Sequence, residues 1–504
     1  MGSFPRAVTP GDQARELDAE VIVVGAGPVG LMLAGELRLA GAEVVVLDRL
    51  PEPTTESRGL GFTARTAELF AQRGLLSRFE SAEASPKGHF GGIPLDYSVL
   101  EGSHFGVRNV EQSQTEAVLG GWAAELGADI RRGLEVTGVE DLGDLVEVAV
   151  TGSAGPQRLR AAYLVGADGG RSTVRALAGF DFVGTPATCE MFLADVRGCD
   201  LRARFIGEKV AGGMVMAARL HDDVDRIIVC ERGTPPRRRT GPPSFAEVAG
   251  AWQRLTGEDI SGATALWVSS FSDATGQATR YRRGRVLLAG DAAHIHLPAG
   301  GQGLSVGVQD AVNLGWKLGA EVTGTAPPGL LDSYHDERHP VGARVLLNTQ
   351  AQGLLYLSGS EVEPLRERMT ALMRLDSVGR HLSGMVSGFD VRYDVGEGDH
   401  PLLGMRLPDQ QIRTASGPAR TLELLRRGRG LLLDLADDAG LRGEITGHDL
   451  EVVTATAPEG TPLAGTTAAL VRPDGYLAWA APGGADPAAA LERWFANRSP
   501  ALAG

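Results

Sequence analysis

Three glycines at the spacing Gly25-x-Gly27-x-x-Gly30 stand between an apolar run and a stretch with helical periodicity. Residues of that type at that spacing can cradle a pyrophosphate. Gly25 permits a tight turn, Gly27 lets the backbone approach a phosphate, and Gly30 allows a helix to pack closely on a strand. Val29 lies inside the same turn. The helix that follows offers free N–H groups and the positive end of its dipole to an anion. Asp48 ends the next apolar run about 20 residues on, where a carboxylate can bind ribose hydroxyls. Glycines alone would be a weak signal. Strand, helix and acid together read as a dinucleotide site, open at this point between NAD and FAD.

Two further stretches carry acids on loops. In "GADGGRSTVR", Asp168 closes an apolar strand and Gly169-Gly170 turn the chain at little steric cost. Taken alone, that is an ordinary Asp-Gly turn. In "GDAAHIHLPAGGQGLSVGVQDAVNLGWKLG", Asp291 follows the strand "VLLAG" and can reach a hydroxylated ligand chain. Pro298 fixes the loop, and Gly300, Gly301 and Gly303 clear space for a flat ring. Gly303 to Gly319 reads as a helix whose first amides face that ring. A reduced flavin is negative near its pyrimidine end, which suits a helix N-terminus. The loop therefore points to FAD.

Such acids and glycines need a parallel sheet to hold them at one edge. Glu20 to Asp48 reads as a βαβ unit with continuous apolar strands, as buried parallel strands require. "SQTEAVLGGWAAELG" has helical spacing, and "LEVTGVEDLGDLVEVAVTG" reads as a hairpin or meander. From about Phe182 to Ser270 the texture alternates, in "MFLADVRG", "GGMVMAAR" and "DRIIVCERG", as in an antiparallel sheet with one covered face. "RVLLAGD" then resumes the first texture. Beyond His400, "RGLLLDLAD", "DLEVVTAT" and "AALVRPDGYLAWAAP" are strands, and "DPAAALERWFA" is a helix started by Asp486.

The expected organisation is an α/β chain. A leader over 1–19 precedes a discontinuous Rossmann-like unit over 20–181 and 271–398. A substrate-binding antiparallel sheet over 182–270 interrupts that unit, and a small α/β unit covers 399–504. At 504 residues, two to four domains are expected. With 43% hydrophobic residues and no apolar run of membrane length, no membrane partner is expected. The absence of an apolar h-region and the three unevenly spaced cysteines point to the cytoplasm, with neither a disulfide framework nor a metal site. A net charge of −14 argues against nucleic acid as a partner.

The three motifs, in this order, resemble the single-component FAD aromatic hydroxylases typified by para-hydroxybenzoate hydroxylase. "ESRGLGFTARTAELFAQRGLL", "GHFGGIPLDY", "DSYHDERHPVGARVLLNTQAQGLLYLSG" and "HPLLGMRLPD" further resemble the actinobacterial aromatic polyketide hydroxylases, most closely those of angucycline pathways. The resemblance implies a glutathione reductase-type FAD domain and a thioredoxin-like tail without redox cysteines. It implies bound FAD, NADPH as a transient co-substrate without its own Rossmann motif, and O2, with one oxygen passing from a flavin hydroperoxide to an aromatic carbon. It assigns the pyrophosphate to Gly25, Gly27, Val29 and Gly30, the adenosine ribose to Asp48, and the pyrophosphate and nicotinamide side to Arg58. Gln112 and Asp291 fall to the ribityl chain, Asp168 to FAD and NADPH together, and the backbone of Gly303, Leu304 and Ser305 to the flavin pyrimidine. The family usually carries Asn where this chain has Ser305, which matters only if that side chain tunes the flavin.

Residues for the substrate, a polycyclic aromatic, are less sharply marked. His89 and Phe90 stand in a "GHFGG" lid or turn. Met214 and Met216 alternate on one strand, lining a pocket or filling a core. Trp267 is ambiguous in the same way. His294 and His296 flank the loop, where satisfying local backbone is the commoner role. No side-chain nucleophile is expected. A Baeyer–Villiger oxygenase shares these motifs and stays open. A halogenase lacks its tryptophan motif here, and a non-catalytic FAD-fold protein need not keep the loop after Asp291. The tail is left either to pair two subunits or to brace the first unit.

Overall fold

A computed structural model describes residues 17–495 apart from 55, 57, 58, 80–82, 101, 103, 238, 446 and 485. The expected leader thus lies outside the described residues up to 16, and Ala19 already begins the first strand.

The strands Ala19–Val24 and Val44–Asp48 are parallel and buried, and the helix Pro28–Leu39 crosses between them. They sit in an eight-stranded sheet. Its main path runs Arg282–Arg283, Val286–Leu288, Gly155–Gly166, Ala19–Val24, Val44–Asp48, Asp129–Arg132. Glu135–Asp141, Val146–Gly152 and Gly155–Gly166 form the expected meander on one side. Gly155–Gly166 and Val286–Leu288 are parallel neighbours although 119 residues separate Gly166 from Val286.

 Residues 167–281 thus run outside this sheet before the chain returns to it and pairs Val286–Leu288 with the strand it left.

The helix Gln302–Val322 lies on the helix Pro28–Leu39, and small residues set how close they come. A Cβ at Gly315 would fall 2.3 Å from the Glu36 Cβ, and one at Gly319 would fall 2.3 Å from the Ala40 Cβ. The helix Ser333–Leu357 follows, with Pro340 inside it. Among the described residues no helix is long and apolar enough to cross a membrane.

A five-stranded antiparallel sheet runs Arg204–Val210, Gly213–His221, Val224–Glu231, Glu190–Arg197, Thr264–Ser272. The helix Phe245–Thr256 covers one face, over Ala194, Val215, Ile227 and Val229. The opposite face carries the cross-strand row Met214, Cys230, Met191, Phe271. The extent differs from the expected 182–270. Phe182–Thr185 pairs instead with Thr275–Ala278, which pairs in turn with His294–Ile295. The alternation that begins at Phe182 belongs to this separate three-stranded sheet, because Gly184 and Gly276 face each other and let those two strands close.

In the last part of the chain a six-stranded sheet runs Gly417–Arg420, Gln411–Thr414, Leu450–Thr456, Gly430–Asp434, Ala468–Val471, Leu477–Ala481. The helix Pro487–Trp494 closes it, and Asp486 accepts a hydrogen bond from the Ala488 N–H at 2.9 Å. Its core is shared with the long helices. Trp316 and Val341 pack in one cluster with Tyr393, Leu432, Leu470 and Trp494.

Candidate active site

The strands Ala19–Val24, Val44–Asp48, Gly155–Gly166 and Val286–Leu288 all end at one cleft of about 430 Å³. This is the sheet edge at which open parallel sheets bind ligands, and the volume is that of a small-molecule site. Gly25, Gly27, Val29, Asp48, Gln112, Asp168, Asp291, Gly303 and Leu304 all line it.

The glycine turn is built as its spacing requires. Gly25 has φ +108°, and a Cβ there would fall 2.4 Å from the Ala167 carbonyl oxygen. A Cβ at Gly30 would fall 1.9 Å from the Gly25 oxygen, so Gly30 closes the turn from behind the cleft. Gly27 is the opposite case. A Cβ there would meet nothing within 4 Å, and Gly27 starts the helix Pro28–Leu39 with no side-chain cap. The first-turn amides are therefore left for a ligand.

Asp48 accepts the Ala26 N–H at 2.7 Å and the Leu50 N–H at 2.8 Å. Gln112 opens the helix Gln112–Glu125 and donates to Glu116 Oε1 at 2.8 Å. Asp168 lies two residues past its strand. Its carboxylate accepts the Thr173 and Val174 N–H groups at 2.7 and 3.1 Å and the Ser172 hydroxyl, starting the helix Thr173–Leu177. The ordinary turn reading and the cleft position thus hold together.

Asp291 is exposed on the cleft. Gly303 stands beside it, since a Cβ there would lie 3.7 Å from His296 Nε2 and 4.0 Å from Asp291 Oδ1. His296 Nδ1 pairs with the Leu297 carbonyl at 2.8 Å, while its buried Nε2 has no protein partner. Burial holds this imidazole below its ordinary pKa, hence neutral. Pro298 precedes the turn Ala299–Gly301, in which Gly300 and Gly301 have φ +72° and +66°. Neither Pro298 nor Gly301 lines the cleft, and Gly301 is exposed. Ser305 is buried, and its hydroxyl accepts the Thr63 N–H at 3.1 Å. It borders a small cavity of about 20 Å³ beside the main cleft. Arg58 lies outside the described residues.

His294 departs from the expected backbone role. Its Nε2 lies 2.7 Å from the buried Asp310 carboxylate, because the loop folds inward onto the helix Gln302–Val322. Among the substrate candidates, Met214 and Met216 pack with Leu297, Ala299 and Tyr356 under the loop. His89 stands edge-on to the Tyr356 ring at 5.4 Å, and burial lowers its pKa to about 4. Phe90 is buried in another cluster with Ile93 and Leu355. Trp267 sits farther along the sheet, opposite Asp195 and 5.4 Å from the Arg226 guanidinium.

Sequence reasoning missed Arg171 and Arg175. Arg171 lines the cleft. Arg175 donates to the Ala292 and Gly170 carbonyls at 2.9 and 2.7 Å, tying the two acidic loops together. Both stood in the "GADGGRSTVR" stretch, and their charge beside a phosphate-type turn was the available signal. Leu134 and Val136 also line the cleft, from a strand edge that carries no such signal. Among the described residues no group of His, Cys, Asp and Glu gathers as a metal site.

The cleft, with its uncapped helix start and open Gly27, and with the unpartnered His296 Nε2 next to Gly303 at its edge, fits a flavin dinucleotide. Residues 18–349 match the family described as FAD binding domain, and residues 400–497 match that described as aromatic-ring hydroxylase, C-terminal. The chain belongs to the FAD-binding aromatic-ring hydroxylases and is a flavoprotein monooxygenase. Its fold is similar to that of CabE, an aromatic hydroxylase from angucycline biosynthesis. That structure superposes at a TM-score of 0.92 with 61% identity, covering 95% of this chain and 99% of the other. The structure of BexE, from a study of oxidation during BE-7585A biosynthesis, gives the same four values. A 12-dehydrotetracycline 5-monooxygenase/anhydrotetracycline 6-monooxygenase of Streptomyces rimosus is 45% identical over 481 residues, 92% of this chain and 95% of that one.

Proposed function

We propose that this flavoprotein is an NADPH- and O2-dependent hydroxylase of a polycyclic, angucycline-like aromatic polyketide in antibiotic biosynthesis, working in the cytoplasm. The observation that carries the reading is that the uncapped helix start at Gly27 and the exposed Asp291 beside Gly303 line one cleft. The substrate class comes from the relatives, one named as an aromatic hydroxylase from angucycline biosynthesis and one as an anhydrotetracycline monooxygenase.

In this reading Gly25, Gly27, Val29 and Gly30 hold the FAD pyrophosphate, Arg58 serves the pyrophosphate and the nicotinamide cofactor, and Asp48 holds the adenosine ribose. Gln112 and Asp291 take the ribityl chain. Asp168 braces the turn beside FAD and NADPH, and Pro298, Gly301, Gly303, Leu304 and Ser305 form the loop and helix start along the flavin ring. Bound there, FAD would supply the reductive activation of O2, with NADPH as the electron source. The chain excludes water with the apolar sheet face of Met191, Met214, Met216 and Phe271. His296, neutral and with a spare nitrogen, is placed to accept a proton near the loop.

The same reading divides the chain into a FAD-binding unit in two parts, a substrate sheet over Glu190–Ser272 set between them, and a thioredoxin-like tail over 399–504. The pairing of Gly155–Gly166 with Val286–Leu288 supports the interruption. The tail has no cysteine, so its role is not redox.

The test is aerobic turnover of purified protein with FAD, NADPH and a tetracyclic angucyclinone, following NADPH loss and product mass together. A phenol one oxygen heavier, formed with matched NADPH loss, supports the reading. A ring-expanded lactone would make the enzyme a Baeyer–Villiger oxygenase, and hydrogen peroxide alone would remove the substrate class.

A further inference from the structure

A buried chain of ion pairs runs from the loop at Asp291 to the tail, and no step proposed above uses it. Asp310, on the helix Gln302–Val322, is fully buried. Its Oδ2 accepts the Gly290 N–H at 3.1 Å and pairs with His294 Nε2 at 2.7 Å. Gly290 immediately precedes Asp291 and has φ +60°. Asp310 Oδ1 accepts Arg338 Nε at 2.6 Å. Arg338, also fully buried, gives its other N–H groups to the Val306 carbonyl at 3.2 Å and the Tyr393 hydroxyl at 3.0 Å.

The preceding residue, Glu337, faces the tail. It accepts Arg472 at 2.5 and 2.9 Å, Lys317 at 2.8 Å and Asn313 at 2.6 Å. Arg472 also pairs with Asp474 at the turn of the tail sheet. The Tyr393 and Tyr476 rings stand 4.3 Å apart beside Arg472. Asp310, Glu337 and Asp474 thus face Arg338, Lys317 and Arg472, charge for charge. The neighbouring pair Glu337-Arg338 addresses the tail with one residue and the loop with the other.

Buried ion pairs are a poor source of net stability compared with apolar packing, and their best-attested use is to fix one arrangement. Here the thing fixed is a backbone N–H next to Asp291. We propose that Asp310 and Arg338 are positioning residues for the flavin loop, and that Tyr393, whose ring stands 4.3 Å from that of Tyr476 in the tail, makes the tail part of the frame that holds it. The inference rests on the flavin reading. It gives the cysteine-free tail a purpose: to set the loop from outside the cleft.

The test compares Asp310→Asn, Tyr393→Phe and a control, Asp434→Asn, which breaks the Asp434–Arg442 pair inside the tail but touches nothing in this chain of contacts. Three quantities are read: FAD affinity of the apoprotein, flavin midpoint potential, and amide hydrogen exchange of residues 290–296 without cofactor. Asp310→Asn is expected to weaken FAD about tenfold, the size of one lost hydrogen bond to a charged group, and to speed loop exchange. Tyr393→Phe is expected to move all three in the same direction by about a third as much on the energy scale, since a neutral hydroxyl is lost. Asp434→Asn is expected to lower thermal stability and leave the three unchanged. If Asp310→Asn does not fold, Tyr393→Phe carries the test. Folded variants with wild-type affinity, potential and exchange would overturn the proposal. Failure of the wild-type protein itself to bind FAD would instead overturn the flavin reading.

Discussion

Asp48 Oδ2 accepts the Ala26 N–H at 2.7 Å, so the carboxylate that ends one strand also fixes the glycine turn that ends its neighbour. A ribose-binding acid is commonly thought of as waiting for its ligand. Here both oxygens are already engaged, Oδ1 by the Leu50 N–H and Oδ2 by the Ala26 N–H, and the turn that Oδ2 holds is the one that would meet the pyrophosphate. The two ends of an adenosine diphosphate would therefore be read by a single preorganised unit, which reduces the ordering left to binding.

That coupling makes Asp48→Ala a double loss. The Ala26 amide loses its acceptor and the ribose loses its carboxylate. FAD affinity should fall by at least about tenfold, with about 1 kcal/mol of stability lost besides. Asp48→Asn keeps an acceptor for Ala26 but turns its NH2 to the Leu50 N–H, and should recover part of the stability but not the affinity. Titration of apoprotein with FAD, alongside urea melts, separates the two effects. Equal affinity in both variants and the wild type would remove Asp48 from the site.

Gly27 and Gly30 should behave as opposites. A Cβ at Gly27 meets only open cleft, whereas one at Gly30 would strike the Gly25 oxygen at 1.9 Å. Gly27→Ala should keep its melting temperature and lose flavin, because the methyl group occupies the pyrophosphate's approach. Gly30→Ala should lose stability first, by about 1–3 kcal/mol as an overpacked turn does. Flavin absorbance per protein and thermal melts of the two variants give the comparison. A Gly27→Ala protein that is fully yellow would contradict the assignment of that cradle.

The parts of this site that could be read from sequence are those that use special backbone. Gly25, Gly27 and Gly30 are legible because only glycine meets their steric demands, and Asp291 because it ends an apolar run before a Pro/Gly loop. The ion-pair chain was not legible. Asp310, Glu337, Arg338 and Arg472 are charged residues that sequence rules place at the surface, and only the pairing of helices far apart in sequence shows them buried. Phe90 and Trp267 are hard to read for a related reason. A large aromatic residue looks the same whether it meets a substrate or a core, and its neighbours come from distant segments. The limits of the middle sheet were misplaced because alternation marks a strand and does not say which sheet takes it.

Acid should destabilise the protein over a window set by buried histidines. His89 has its pKa lowered from 6.5 to about 4 by burial, and burial also lowers His296, His335, His339 and His400. Between those two values the unfolded chain binds more protons at His89 than the folded one does. The His89 contribution is therefore fully present above pH 6.5 and is lost as pH falls from 6.5 to about 4. On the order of 1–3 kcal/mol is at stake for this one residue. Urea melts from pH 4 to 7 should show stability falling with acid, and His89→Phe should make that fall shallower without abolishing it. An identical slope in the variant would place His89 in contact with water.

Ser305 stands where the family usually carries Asn, and its hydroxyl is turned to the Thr63 N–H at 3.1 Å, away from the cleft. The side chain therefore has a structural task. Ser305→Ala removes the acceptor from a buried amide, and such an orphan costs about 1–3 kcal/mol. FAD affinity should stay within about threefold of the wild type, because a flavin along this helix start would be met by backbone. Ser305→Asn can offer its amide oxygen to Thr63 and should regain part of the stability. It must also fit two more heavy atoms beside a cavity of only about 20 Å³, which keeps the recovery partial. Melting temperature and FAD affinity measured on both variants decide the matter. A Ser305→Ala protein that melts like the wild type yet binds FAD tenfold more weakly would show the hydroxyl acting on the flavin, and the Asn-to-Ser change would then be a functional one.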